Sequence, residues 1–125
     1  MNLLLDTHAL LWTFTDDPAL GAEARVAIAS PDNLVFASAA SVWEIAIKRA
    51  LGKLRAPDDV NEQIALHRFE PLAMTGDRAW IADTLPALHA DPFDRMLIAQ
   101  ARGEGLTIVT RDSQFAAYGV PVLRT

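Results

Sequence analysis

Asn2-Leu3-Leu4-Leu5-Asp6-Thr7 is a short apolar run stopped abruptly by a carboxylate. Without polar alternation, such a run fits a strand buried on both faces, as in the interior of a parallel sheet. Leu106-Thr107-Ile108-Val109-Thr110 repeats the pattern and is followed by Arg111-Asp112. Between these two runs the period changes repeatedly, and that alternation sets the fold.

Residues 9–14 read as a first helix. Asp17-Pro18 opens a second that runs to about Ala29, and Pro31-Asp32-Asn33 makes a turn into a strand at Leu34-Val35-Phe36. Ser38 or Ser41 can cap a long helix through Leu51, with Gly52 as its stop. Pro57-Asp58-Asp59 starts a shorter helix to about His67, residues 69–72 form a weak strand, and residues 76–85 a helix broken by Pro86. Asp91-Pro92 opens the helix that ends at Gly103 or Gly105. Residues 113–118 then give a short helix and residues 120–123 a last strand. Strands alternating with helices imply an α/β fold, a three-layer α/β/α sandwich around a mostly parallel sheet. With 125 residues and neither linker nor repeat, residues 1–125 are expected to form a single domain.

Four acids stand where charge is uncomfortable. Asp6 ends the first strand, Glu44 interrupts Val42-Trp43-Glu44-Ile45-Ala46-Ile47, Asp94 precedes Met96-Leu97-Ile98-Ala99, and Asp112 follows the late strand. A carboxylate in low dielectric needs a paired charge or a metal, or it gives up its own charge. In open parallel sheets, ligands bind beyond the carboxyl ends of the strands. If the strands ending near Asp6 and Asp112 are neighbours, both acids face one crevice, which Glu44 and Asp94 can reach from helices. Such a set of oxygen ligands suits Mg²⁺ or Mn²⁺.

Each acid also has an ordinary role open to it. Asp6 and Asp112 can cap the helices that follow them, and Glu44 has i,i+4 spacing to Lys48. Asp91 can be an N-cap, with Pro92 at the first helical position and Asp94 facing the helix dipole. One metal site accounts for the four positions together.

Composition sets outer limits. There is no cysteine, which excludes disulfides, thiolate metal sites and cysteine nucleophiles. Hydrophobic residues make up 51% and charged residues 22%, an ordinary globular balance. The N-terminal run lacks a basic flank and is too short for a signal peptide, and no stretch is long enough to span a bilayer, so a cytoplasmic protein without membrane contact is expected. The formal net charge of −5 argues against nucleic acid at first sight, but the four acids supply most of it and bound divalent ions would offset them.

Other residues carry weaker signals. His8, His67 and His89 share no metal-ligand spacing, and Ser38, Ser41 and Ser113 lack a nucleophile-elbow context. Gly103 and Gly105 end a helix rather than open a phosphate loop. Trp12, Trp43 and Trp80 are expected in the core or an interface. Lys48, Arg49, Lys53, Arg55, Arg95 and Arg111 are candidates for holding a nucleic-acid backbone, against the simpler role of stabilising helix ends.

Taken together, these motifs resemble the PIN-domain ribonucleases, and within them the VapC-like toxins of VapBC toxin–antitoxin pairs. The resemblance rests on Leu4-Leu5-Asp6-Thr7-His8, Ser41-Val42-Trp43-Glu44-Ile45, residues 89–101 (His89-Ala90-Asp91-Pro92-Phe93-Asp94-Arg95 and onward) and Thr110-Arg111-Asp112. It extends over essentially the whole chain. It implies a metal-dependent endoribonuclease whose acidic pocket (Asp6, Glu44, Asp94, Asp112) holds Mg²⁺ or Mn²⁺. Asp6 and Asp94 are the expected direct ligands, with Glu44 and Asp112 acting directly or through water. Thr7 and Thr110 match positions that orient a carboxylate or a water, and Asp91 is left open.

The implied partners are an RNA substrate, a cognate antitoxin and a second copy of the chain, with DNA reached only through the antitoxin. Apolar surface at Leu10, Leu11, Trp12 and Trp43 is expected to support the dimer. A catalytically idle PIN-like module that binds protein or RNA is the alternative. A phosphatase with Asp6 as nucleophile is disfavoured, because Asp6-Thr7-His8 lacks a second aspartate two positions on.

Overall fold

The computed structural model describes all residues, Met1–Thr125. Five strands, β1 (Asn2–Leu5), β2 (Leu34–Ser38), β3 (Glu70–Leu72), β4 (Thr107–Thr110) and β5 (Val122–Arg124), form one sheet in the order β3-β2-β1-β4-β5. Every pairing is parallel, so the sheet is wholly rather than mostly so. The chain lays down β1, β2 and β3 outward to one side, then returns to start β4 on the other side of β1. The strand order therefore reverses between β1 and β4, and in open parallel sheets the carboxyl ends at such a point are where ligands bind.

Period-two alternation divides the core into two layers. Leu3, Leu5, Val35, Ala37 and Val109 face one way, packing with α1 (Thr7–Thr15), α2 (Ala22–Ala29) and α4 (Val60–Leu66). Leu4 and Ile108 face the other, with α5 (Gly76–Thr84), α6 (Pro92–Glu104) and the 3₁₀ turn Ser113–Tyr118. Helix α3 (Ala39–Ala50) serves both, placing Ile45 in the first layer and Ala40 in the second. Pro71 sits in β3, an edge strand, where its missing N–H costs least.

Several boundaries differ from the sequence reading. Asp17 closes a local turn by accepting the Ala19 N–H at 2.8 Å, and α2 begins only at Ala22, after Gly21. Ser38, not Ser41, caps α3 by accepting the Ala40 N–H at 3.0 Å. Helix α6 ends at Gly105, whose φ of 69° is the left-handed conformation glycine adopts most easily. Residues 113–118 form a 3₁₀ helix rather than an α-helix.

The tryptophans and leucines also divide differently. Leu10 and Leu11 are core, because α1 points them at the sheet, and Trp12 is only half-exposed. Trp43 and Trp80 are exposed, at 56% and 78%. Trp43 borders an apolar groove of about 800 Å³ shared with Val42, Ile64, Phe69 and Leu72. No helix is long and apolar enough to cross a membrane.

Candidate active site

The reversal point puts two strand ends side by side. Asp6 follows β1, and its backbone N–H continues the sheet ladder to Val109 O at 3.1 Å. Its Oδ1 caps α1 by accepting the Ala9 N–H at 2.8 Å, and its Oδ2 accepts the Thr110 hydroxyl of β4 at 2.6 Å. Capping thus leaves Asp6 able to bind a further group, since each oxygen keeps another lone pair. Thr110 Oγ1 in turn accepts the Asp112 N–H at 3.0 Å, locking the turn that leaves β4.

Glu44 comes from α3 and is 3% exposed. Thr7 donates to its Oε1 at 2.5 Å, and Lys48, one turn on, pairs with its Oε2. The i,i+4 pair foreseen in the sequence therefore exists, but with a buried acid rather than on a solvated face. Hydrogen bonding to Glu44 holds the Lys48 ammonium above its usual range, and the charges of Asp91 and Asp94 add to the effect. Ser41 Oγ lies 3.1 Å from the Thr7 hydroxyl and completes this buried cluster.

Helix α6 supplies Asp94. Asp91 is its N-cap, with Oδ1 accepting the N–H of Phe93 at 2.8 Å and of Asp94 at 3.3 Å, and Pro92 opens the first turn. Asp112 caps the 3₁₀ turn through the Gln114 N–H at 2.9 Å, which leaves its Oδ2 to meet His89 in the loop before α6. Between the two acids sits His89, whose Nε2 lies 2.9 Å from Asp112 Oδ2 and 3.0 Å from Asp94 Oδ2. The three side chains could together approach one cation.

The electrostatics show how close the acids stand. Burial pushes the Asp94 carboxyl up to about 8, reinforced by the charges of Asp91, Glu44, Asp6 and Asp112. Burial also raises Asp6, opposed by its bonds from Thr110 and Ala9 and by the His8 charge, with Glu44 pushing the same way as burial. Of the four acids singled out in the sequence, Asp94 thus feels the other three. Lys48 is the one lysine or arginine paired directly with any of them.

Most of the candidate basic residues are otherwise engaged. Arg95 donates to the carbonyls of Ala82, Asp83, Leu85, Pro86 and His89, so it knits the loop between α5 and α6 rather than facing solvent. Arg111 stacks over Trp12 at 4.7 Å from the ring centroid and donates to Ala19 O, and Arg49 pairs with Asp58. Lys53 and Arg55 remain exposed on the loop after α3.

His89 is the member of this side-chain cluster that the sequence reading passed over. Its spacing to the acids matches no metal motif, because it acts from a loop. The available signal was its place at the head of residues 89–101, three positions before the helix that carries Asp94.

The chain belongs to the PIN domain family, which residues 3–121 match. A comparison with curated proteins returns no match. Among solved structures it is similar to VapBC2 from Rickettsia felis bound to a promoter DNA fragment (14% identity, covering 99% of this chain and 98% of that one, TM-score 0.71). It is also similar to DNA-bound VapBC from Salmonella typhimurium (19% identity, 99% and 98% covered, TM-score 0.69). VapBC-5 from Mycobacterium tuberculosis, from a family of toxin–antitoxin systems, is a third (21% identity, 99% and 98% covered, TM-score 0.61). At these identities the likeness carries the fold.

Proposed function

We propose that this PIN-domain chain, a single domain over residues 1–125, is a Mg²⁺- or Mn²⁺-dependent endoribonuclease and the toxin of a toxin–antitoxin pair, acting in the cytoplasm. The observation that carries the reading is the convergence of acids from two strand ends and two helices at the point where the sheet reverses, so close that Asp91, Glu44, Asp6 and Asp112 all add to burial in raising the Asp94 carboxyl. A pocket so overloaded with negative charge is relieved by a divalent cation, and its carboxylate oxygens are the hard donors such a cation prefers. The donor set therefore fits Mg²⁺ or Mn²⁺. Asp6 and Asp94 would hold the ion, with Glu44 and Asp112 binding it directly or through water. Bound there, the ion would acidify a water and neutralise charge building on a phosphodiester.

The protein groups divide the remaining work. Thr110 and the α1 N-terminus fix the Asp6 carboxylate, and Thr7 fixes Glu44. The partly exposed Lys48 ammonium lies at the edge of the acids, where it can meet a phosphate oxygen. Lys53 and Arg55 can hold the strand further out, which positions RNA without reading its sequence.

The toxin reading draws on structural relatives described as VapBC complexes, two of them bound to DNA. For this chain we propose an antitoxin that covers apolar surface near Trp43 and brings a basic side chain to the acids. DNA would be contacted through that antitoxin, and a second copy of this chain would complete a homodimer.

Incubating the purified protein with RNA and Mg²⁺ or Mn²⁺, beside EDTA and Asp6→Asn arms, tests the nuclease reading. Metal-dependent cleavage that Asp6→Asn abolishes is expected. Cleavage that survives both EDTA and the substitution would overturn it. Suppression of growth arrest by a co-expressed neighbouring antitoxin gene, with co-purification, tests the toxin reading separately.

A further inference from the structure

His89 is fixed more firmly than a loop residue needs to be. Its backbone N–H donates to the Tyr118 hydroxyl at 2.8 Å, and its carbonyl accepts from Arg95 at 3.1 Å. The ring stands edge-on to Phe115, with centroids 5.8 Å apart, and the residue is 9% exposed. Tyr118 is itself pinned, donating to Pro86 O at 2.7 Å while accepting from Leu88 and His89.

The hydrogen bond at the other ring nitrogen decides what His89 can do. Nδ1 faces the Asp91 backbone N–H at 3.2 Å, a donor, so Nδ1 must accept. The ring proton then lies on Nε2, which hydrogen-bonds Asp112 Oδ2 at 2.9 Å and has Asp94 Oδ2 3.0 Å away on the same side. A metal-binding imidazole normally shows the opposite arrangement: the ligating nitrogen is bare and the other N–H donates to an acceptor. Ligation through Nε2 would here set an Nδ1–H against the Asp91 N–H.

We infer that His89 is a positioning residue, whose Nε2–H clamps Asp94 and Asp112 at a fixed separation and keeps imidazole nitrogen out of the metal's coordination. This rests on the metal-site reading above and deepens it. The site presented to the ion is then all oxygen, which favours Mg²⁺ or Mn²⁺ over ions that prefer nitrogen, such as Zn²⁺.

The test is Mn²⁺ binding to the purified protein, read by calorimetry and by electron spin-echo spectroscopy, in wild type, His89→Ala and His89→Gln. Wild type should show no directly bound imidazole nitrogen that disappears in His89→Ala. His89→Ala should bind Mn²⁺ about 10–100-fold more weakly, the range seen when a group supporting a metal ligand is removed. His89→Gln, whose amide can donate to the same oxygens, should recover most of that affinity. A nitrogen coupling present in wild type and missing in His89→Ala overturns the inference and makes His89 a ligand, while the metal site itself stands. Unchanged affinity in His89→Ala also overturns it. Absence of Mn²⁺ binding in wild type overturns both readings. Should His89→Ala not fold, the wild-type spectrum and His89→Gln decide.

Discussion

The Thr110 hydroxyl donates to Asp6 Oδ2 across 2.6 Å, joining the ends of the two strands between which the sheet reverses. Thr110 is fully buried and also accepts the Asp112 N–H, so one hydroxyl braces acids from both strand ends. Thr110→Val keeps the shape but strands that N–H and removes a donor from Asp6. It should cost about 1–3 kcal/mol in denaturant unfolding. Thr110→Ser should recover most of the loss.

Removing charge from the acidic cluster should separate stability from activity. Asp94→Asn should abolish RNA cleavage, yet the metal-free protein should melt at the same temperature or higher, because a repelled carboxylate has gone. Asp6→Asn should behave similarly, as asparagine also caps helices well. Glu44→Gln should reduce cleavage by roughly 10–100-fold if Glu44 supports rather than binds the ion. Calorimetric melting in EDTA beside single-turnover cleavage checks all three.

The raised Asp94 carboxyl fixes a pH dependence. Its folded value, about 8, lies above its ordinary value of 3.8, so between these the native state holds a proton that the unfolded chain has lost. Its contribution to stability is therefore fully present below about 4 and is lost as pH rises through 8. Metal-free unfolding measured from pH 5 to 9 should show this decline, flattened in Asp94→Asn. Because bound metal requires the ionised form, Mn²⁺ affinity should rise over the same interval and binding should release protons.

The basic residues should divide by what they touch. Arg95→Ala frees several loop carbonyls and should destabilise by about 2–3 kcal/mol, read in urea, since hydrogen bonds to charged groups are the stronger kind. Lys53→Ala or Arg55→Ala should leave unfolding unchanged. Each should weaken RNA binding and lower its salt slope by roughly 0.7 for every phosphate no longer neutralised, the single-strand value. Fluorescence anisotropy with catalysis blocked by Asp94→Asn measures this.

The sequence made the sheet and the acids legible because both depend on local chemistry. An apolar run ended by aspartate specifies a buried strand and its exit, and the Asp91-Pro92 pair specifies a helix start. What it hid depends on distant partners. Nothing near His89 announces Asp112, 23 residues on, and nothing near Arg95 announces the carbonyls that absorb its guanidinium. Leu10 and Leu11 read as surface because a short helix does not reveal which face meets the sheet. Their burial beside Ile45 and Val109 follows from packing alone.

Above all, Asp6 and Asp94 are proposed to hold together the divalent ion that acts on RNA. Anomalous diffraction from crystals soaked in Mn²⁺ tests this most directly. A peak is predicted within coordination distance of carboxylate oxygens from both residues, absent in Asp94→Asn crystals. A peak bound elsewhere, or one that persists unchanged at this site in Asp94→Asn crystals, would contradict it.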